Sequence, residues 1–227
     1  MPYILSLDTS TKVCSVAIHL DGNLLARQEL LLGKSHSAYL TIICETLLSQ
    51  CGLQLSDMDA FAVGMGPGSY TGLRIGVSTI KGYCYALDKP LIAVNSLEGM
   101  AKALEGNGHE GKLLCPMIDA RRMEVYCLFY QNGKTIINTN NEIIESDTFS
   151  EQLEREQVLF FGDGAMKCKD LLSHPNALFI DQMNTSAHGV GLVAFEKFKL
   201  KQFEDLAYFE PFYLKEFQTK PSTKKLL

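Results

Sequence analysis

The sequence predicts a two-lobed α/β protein with mixed sheets, in which one structural unit occurs twice. Three observations lead there. Short apolar, strand-like runs alternate with stretches of helical period. A polar, glycine-rich segment, Asn107-Gly108-His109-Glu110-Gly111, interrupts the chain near its middle. An apolar strand ending in aspartate opens each half, Leu7-Asp8 in the first and Ile118-Asp119 in the second. The lobes are therefore placed at 1–106 and 107–227, with a C-terminal tail that can return to the first lobe.

Residues 3–7 form the first apolar run, stopped by Asp8-Thr9-Ser10-Thr11-Lys12. Residues 13–20 alternate around Val13, Ser15 and Ala17, Asp21-Gly22-Asn23 reads as a hairpin turn, and 24–32 is the returning strand. Such tight links make an antiparallel meander. The period then changes. Tyr39, Leu40, Ile42, Ile43, Leu47 and Leu48 recur at helical spacing, Ser35 or Ser37 can cap the start, and Gly52 closes the run. Residues 60–63 are a strand, 73–87 a second helix and 91–94 the next strand. Three antiparallel strands, then helix, strand, helix, strand, is the order of a ribonuclease-H-like unit. The second half repeats part of it: strands at 113–118, 124–130, 135–137 and 158–161, and a helix at 187–198, with no clean first helix.

Composition narrows the function classes. The 227 residues are 46% apolar and 21% charged, an ordinary globular balance. The net charge is −5 and the cations are scattered, apart from Lys220, Lys224 and Lys225 near Pro221. A chain that grips nucleic acid by itself carries a basic face, so an RNA role points to a shared one. Seven cysteines show no short ligand spacing; Cys14, Cys44, Cys84, Cys115 and Cys127 sit inside apolar runs and read as reduced core thiols of a cytoplasmic protein. The first apolar run is broken at once by Asp8, which argues against a leader or a membrane span.

The densest motif is Gly64-Met65-Gly66-Pro67-Gly68-Ser69-Tyr70-Thr71-Gly72, between a strand and a helix. Glycines permit close approach, and amide groups at a helix start favour an anion. Neither a P-loop nor a dinucleotide fingerprint is present, and Arg74 is the one nearby cation. Two readings stand: a structural tight turn, or a degenerate phosphate loop made of Gly66, Gly68, Ser69, Thr71 and Gly72 facing Asp8, Thr9 and Ser10. In the bland version Asp8 caps its own turn.

Leu7-Asp8-Thr9-Ser10, the 64–76 stretch continuing through Leu73-Arg74-Ile75-Gly76, Val94-Asn95-Ser96-Leu97-Glu98 and Asp119-Ala120-Arg121-Arg122-Met123-Glu124-Val125-Tyr126 together resemble the TsaB (YeaZ) family, in order, through about the first 130 residues. The resemblance continues loosely through Gly162-Asp163-Gly164 and Pro211-Phe212-Tyr213-Leu214-Lys215. It implies the two-lobed fold shared by actin, Hsp70 and sugar kinases (ASKHA). It also implies a non-catalytic role in making threonylcarbamoyladenosine 3′ of the anticodon in tRNAs reading ANN codons. Catalysis in that family belongs to the paralogue TsaD, with the ATPase TsaE joining the complex and TsaC supplying the adenylate; the complex, not this subunit, uses ATP and Mg. The paralogue has two metal-binding histidines four apart at a helix start. Ser96 and Met100 stand at those positions here, and a hydroxyl with a thioether is a poor clasp for a hard or borderline ion.

Other residues carry weaker signals. His36 and His188 lie near helix starts and read as caps or surface groups; none of the five histidines adjoins another or a plausible nucleophile. Glu98 reads as a helix-start acid. Arg121 and Arg122 fit either an RNA or interface contact or ordinary salt bridges within their hairpin. The two N-lobe helices carry more apolar residues than one stripe needs, to be covered by the second lobe or by a partner. The resemblance assigns this helix pair to the TsaD joint, with self-association as a homodimer when TsaD is absent. Tyr39, Leu40, Ile43, Leu47, Arg74, Val77, Ile80, Lys81 and Cys84 are the candidate contacts. The rival readings are a stand-alone ATP-binding kinase or ATPase of this fold, and a self-associating regulatory protein.

Overall fold

The computed structural model describes residues 1–33 and 36–215. Ser35, Lys220, Pro221, Lys224 and Lys225 lie outside the described residues. Two five-stranded sheets make the framework. The first holds β1 (Tyr3–Asp8), β2 (Cys14–Leu20), β3 (Asn23–Leu30), β4 (Ala60–Gly66) and β5 (Leu91–Asn95), in the order β3-β2-β1-β4-β5. The meander β1–β2–β3 is antiparallel, whereas β4 lies parallel to β1 and β5 parallel to β4. The second sheet, β6 (Leu113–Asp119), β7 (Glu124–Gln131), β8 (Lys134–Ile143), β9 (Val158–Phe161) and β10 (Ala177–Ile180), has the order β10-β9-β6-β7-β8 and the same pattern of directions. Strand for strand, the second sheet repeats the first, as expected of a duplicated ribonuclease-H-like, ASKHA-type fold.

The helices are α1 (His36–Gln50), α2 (Tyr70–Leu87), α3 (Ser96–Glu105), α4 (Ser150–Arg155) and α5 (Ala187–Lys199). The strand β10 and the short helix α4 were not legible in the sequence. Ala-Leu-Phe-Ile is too brief to show a period, and α4 has a single buried residue, Leu153.

Because both faces of the first sheet are covered, its central strands read as near-continuous apolar runs. Leu5, Leu7, Phe61, Val63, Leu91 and Ala93 point towards α1 and α2. Ile4, Ala60, Ala62, Ile92 and Val94 point the other way, against Val190, Val193 and Ala194 of α5. The alternation has the strand period of two. Small residues on the second face let α5 come close.

That helix comes from the far end of the chain. In return α3, which follows the first sheet, packs Leu97, Met100, Ala101 and Leu104 against Leu114, Ile118, Leu128 and Phe161 of the second sheet. Each sheet thus receives its last helix from the other half of the sequence. The two helices cross at Gly99 and Gly189, where a Cβ on Gly189 would lie 2.2 Å from the Gly99 carbonyl oxygen. The polypeptide then returns along the first sheet: the Glu204 amide donates to the Leu91 carbonyl, and Leu206 and Phe209 pack on the core beneath α2. No helix among the described residues is long and apolar enough to cross a membrane.

Candidate functional site

The glycine-rich turn links β4 to α2, with Ser69 as N-cap accepting from the Gly72 amide. It lies directly on the β1–β2 loop. The Ser69 amide donates to the Ser10 carbonyl at 2.6 Å, and the Thr9 hydroxyl to the Gly72 carbonyl at 2.7 Å. A Cβ at Gly68 would stand 2.1 Å from the Ser10 oxygen, and one at Gly72 2.1 Å from the Thr9 oxygen. Only glycine allows backbone to approach backbone this closely. Between Ser10 and Ser69, and between Thr9 and Gly72, the two loops are in direct hydrogen-bonded contact.

Asp8 sits behind them, buried. Its Oδ1 accepts from the Ser10 amide (2.9 Å) and hydroxyl (2.6 Å), and its Oδ2 accepts from the Ser96 hydroxyl at 2.9 Å. Burial pushes its pKa up, against the pull of these donors. Gly64 makes the pairing sterically possible, since a Cβ there would be 2.2 Å from Asp8 Oδ2 and 2.7 Å from Ser96 Oγ. Ser96 opens α3, capped by the Asn95 side chain. One turn on, Met100 is turned into the second core, its methyl close to Gly162. The two positions that resemble the paralogue's metal ligands are therefore spent on a hydrogen bond and on packing. They do not fit a metal, and among the described residues no group of three or more His, Cys, Asp or Glu side chains is placed to hold one. Glu98, in the first turn of α3, is half-buried, and desolvation raises its pKa against the opposing charges of Lys197 and Lys102.

In the second sheet, the β6–β7 turn is built from two consecutive left-handed residues, Arg121 (φ 71) and Arg122 (φ 51). Lys167 holds it. Its ammonium pairs with Asp119 and donates to the carbonyls of Arg122 (2.8 Å) and Glu124 (2.7 Å), which uses all three of its donors. Asp119 also accepts from the Arg121 amide at 2.8 Å. Burial opposes charge on Asp119, but the Lys167 and Arg121 donors win and its pKa is lowered. Asp163 accepts from the Asp119 amide; desolvation nevertheless raises its pKa. Among the described residues, neither arginine side chain makes a hydrogen bond or ion pair, so the salt-bridge reading of this pair is replaced by two free, exposed guanidinium groups.

The N-lobe helices correct another expectation. Leu40, Ile43, Leu47, Val77, Ile80 and Cys84 are buried against the first sheet, each 4% exposed or less. They cannot touch a partner from the folded chain; this part of the apolar arc is covered by the helices' own sheet, while Tyr39 and Ile42 stay exposed. Tyr39, Arg74 and Lys81 remain outside the core. The Arg74 guanidinium lies 4.2 Å from the centre of the Tyr70 ring and donates to the Tyr213 hydroxyl at 3.2 Å. Lys81 donates to the carbonyls of Ala207 and Phe209, pinning the returning segment along α2.

The histidines also differ from expectation. His36 is buried and its Nε2 meets the Thr11 carbonyl at 2.9 Å. His19, fully buried on β2, and His188 of α5 stack with Nε2 and Nδ1 3.1 Å apart. They are 169 positions apart, so local spacing held no signal of the pair.

Comparison with known proteins agrees with this geometry. A family model described as TsaD, tRNA N6-adenosine threonylcarbamoyltransferase, matches residues 30–222. The chain is 33% identical over 174 residues to the tRNA threonylcarbamoyladenosine biosynthesis protein TsaB of Bacillus subtilis, covering 74% of each chain. It is 38% identical over 131 residues to the Escherichia coli protein of the same name, covering 58% of this chain and 56% of that one. The solved structure of YeaZ from Pseudomonas aeruginosa superimposes with a TM-score of 0.78 at 25% identity, over 94% of this chain and 100% of that one. An activator of 2-hydroxyisocaproyl-CoA dehydratase from Clostridium difficile, TM-score 0.56 at 13% identity over 88% of this chain and 97% of its own, shares the fold alone. Carrying the family's glycine turn and aspartate loop while its counterparts of the paralogue's metal ligands are a capped serine and a core methionine, the chain belongs to the TsaB (YeaZ) family.

Proposed function

We propose that this chain is the non-catalytic partner subunit of the machinery that forms N6-threonylcarbamoyladenosine in tRNA, and that it acts by docking on TsaD. The observation that carries the non-catalytic reading is the Ser96–Asp8 hydrogen bond, which commits both side chains to the fold. The docking face is the outer side of α1 and α2. Tyr39, Ile42 and Tyr85 are 47%, 53% and 84% exposed on these helices, and Arg74 is exposed near the start of α2. Aromatic and aliphatic groups with an arginine have the composition of interface cores. In this reading TsaD performs the transfer 3′ of the anticodon of ANN-reading tRNAs, TsaE contributes the ATPase, and the complex uses ATP and Mg. The tRNA meets this subunit only within the assembly, in the cytoplasm. The same face pairs two copies as a homodimer when TsaD is absent.

The test is threonylcarbamoyl transfer by TsaD with and without this chain, using the Ile42→Glu variant as control. Wild type is expected to restore transfer and to co-elute with TsaD. Ile42→Glu, on an exposed position, is expected to stay folded and do neither. Undiminished transfer with Ile42→Glu overturns the docking face; transfer by the lone chain overturns the non-catalytic role.

A further inference from the structure

Beyond their glycine crossing, α3 and α5 diverge and leave a cavity of about 260 Å³ against β3, roofed by the loop that precedes α5. Its floor is the backbone of Gly99 and Gly189. Its polar lining comes from four places: Arg27 and Glu29 on β3, Ser186 and His188 at the start of α5, Asn107 after α3, and Gln182 and Asn184 in the roofing loop. The size is that of a metabolite, just below the range of about 300–1,000 Å³ for drug-sized ligands.

The hydrogen-bonding capacity left open in these walls is specific. Glu29 Oε1 accepts from the hydroxyls of Ser15 and Ser186, while no donor among the described residues reaches Oε2. Arg27, two residues away on the same face of β3, makes no hydrogen bond or ion pair through its side chain among the described residues, although Glu29 is its neighbour. His188 is fixed by His19. The buried Nδ1 of His19 has no partner, and a bare lone pair costs less there than an orphaned N–H. His19 therefore carries its proton on Nε2 and donates to His188 Nδ1, and His188 offers an Nε2–H to the cavity. Burial and the Arg27 charge keep this imidazole neutral at neutral pH, against the pull of Glu29.

We propose that this cavity binds a small zwitterion of the α-amino acid class. The ligand carboxylate would take the Arg27 guanidinium and the His188 N–H; its ammonium would take the open oxygen of Glu29. Two donors for one end, one from β3 and one from the start of α5, and one charged acceptor for the other match a molecule with both charged groups on one carbon. A lone anion would meet Glu29, and a lone cation would meet Arg27. The site does not depend on docking to TsaD and lies away from the exposed side of α1 and α2.

The experiment is calorimetric titration of the full chain with glycine, L-serine, L-aspartate and L-leucine, alongside acetate and methylammonium as single-charge controls. At least one amino acid is expected to bind saturably, about tenfold or more tighter than either control. Arg27→Ala, which removes an exposed and unpaired side chain, is expected to weaken it by about tenfold or more with an unchanged melting curve. Glu29→Gln is expected to do the same to the ligand. Absence of saturable binding by all four amino acids, equal binding of acetate, or unchanged affinity in Arg27→Ala overturns the proposal.

Discussion

Two alanine substitutions, chemically identical, are expected to move stability in opposite directions. At the α3–α5 crossing, a Cβ on residue 189 would sit 2.2 Å from the Gly99 oxygen and 2.6 Å from its carbonyl carbon. Both obstacles are backbone, so no side chain can swing aside. Restoring an ordinary contact of 3.4 Å means parting the helices by 1.2 Å. A radial gap of 0.5–1 Å already forfeits roughly a quarter to a half of each dispersion contact. Overpacking of this kind costs about 1–3 kcal/mol, and an obstacle of rigid backbone puts Gly189→Ala at the upper end. Helix propensity returns at most about 1 kcal/mol. The net is a loss of about 2 kcal/mol, or a melting temperature lower by about 4–8 °C for a chain of this size. Gly82 is the contrast. It lies inside α2 with nothing within 4 Å of a built Cβ, so Gly82→Ala keeps the propensity gain and is expected to melt about 2 °C higher. Gly99→Ala, whose nearest obstacles are at 3.1 Å, should fall between wild type and Gly189→Ala. Thermal melts followed by circular dichroism, with urea titrations for the free energies, give the ranking. A Gly189→Ala protein as stable as wild type would show that the crossing does not hold the lobes together.

Ile43→Glu, at a 3% exposed position, buries a charge without a partner and is expected to lose several kcal/mol and the fold; Ile42→Glu is expected to melt within about 1 °C of wild type, and calorimetry separates them. Ser96→Ala leaves Asp8 Oδ2 without its donor inside the core, at a cost of about 1–3 kcal/mol measured in urea. Lys167→Ala should raise the Asp119 pKa towards its ordinary value, read by carboxyl NMR titration, because the ammonium that lowers it is gone. For His19, burial and then the His188 charge depress the pKa from 6.5 to about 4. The unfolded chain binds the proton first as pH falls, so this contribution to stability is complete above about pH 6.5 and is lost down to about pH 4. Its size is about 3 kcal/mol. His19→Gln should flatten that part of the stability–pH curve relative to wild type; an unchanged slope would exclude His19 as its source.

The sequence by itself determined the succession of strands in the first half, all but β10 in the second, and the need for glycine at the turn after β4. It also placed a serine and a methionine where the paralogue resembled by this chain has histidines. These are local properties: a period of two, a close approach, a ligand's chemistry at one position. Residue spacing reports that a face is buried, but not what buries it. For that reason the pattern of Leu40, Ile43 and Ile80 fits partner contacts as well as the sheet that lies beneath them. Only the tertiary structure decided that α5 crosses to the first sheet, that His19 meets His188, and that Lys167 gathers the arginine turn. Each of those depends on how a chain closes over more than forty residues, a distance at which side-chain pattern carries no register.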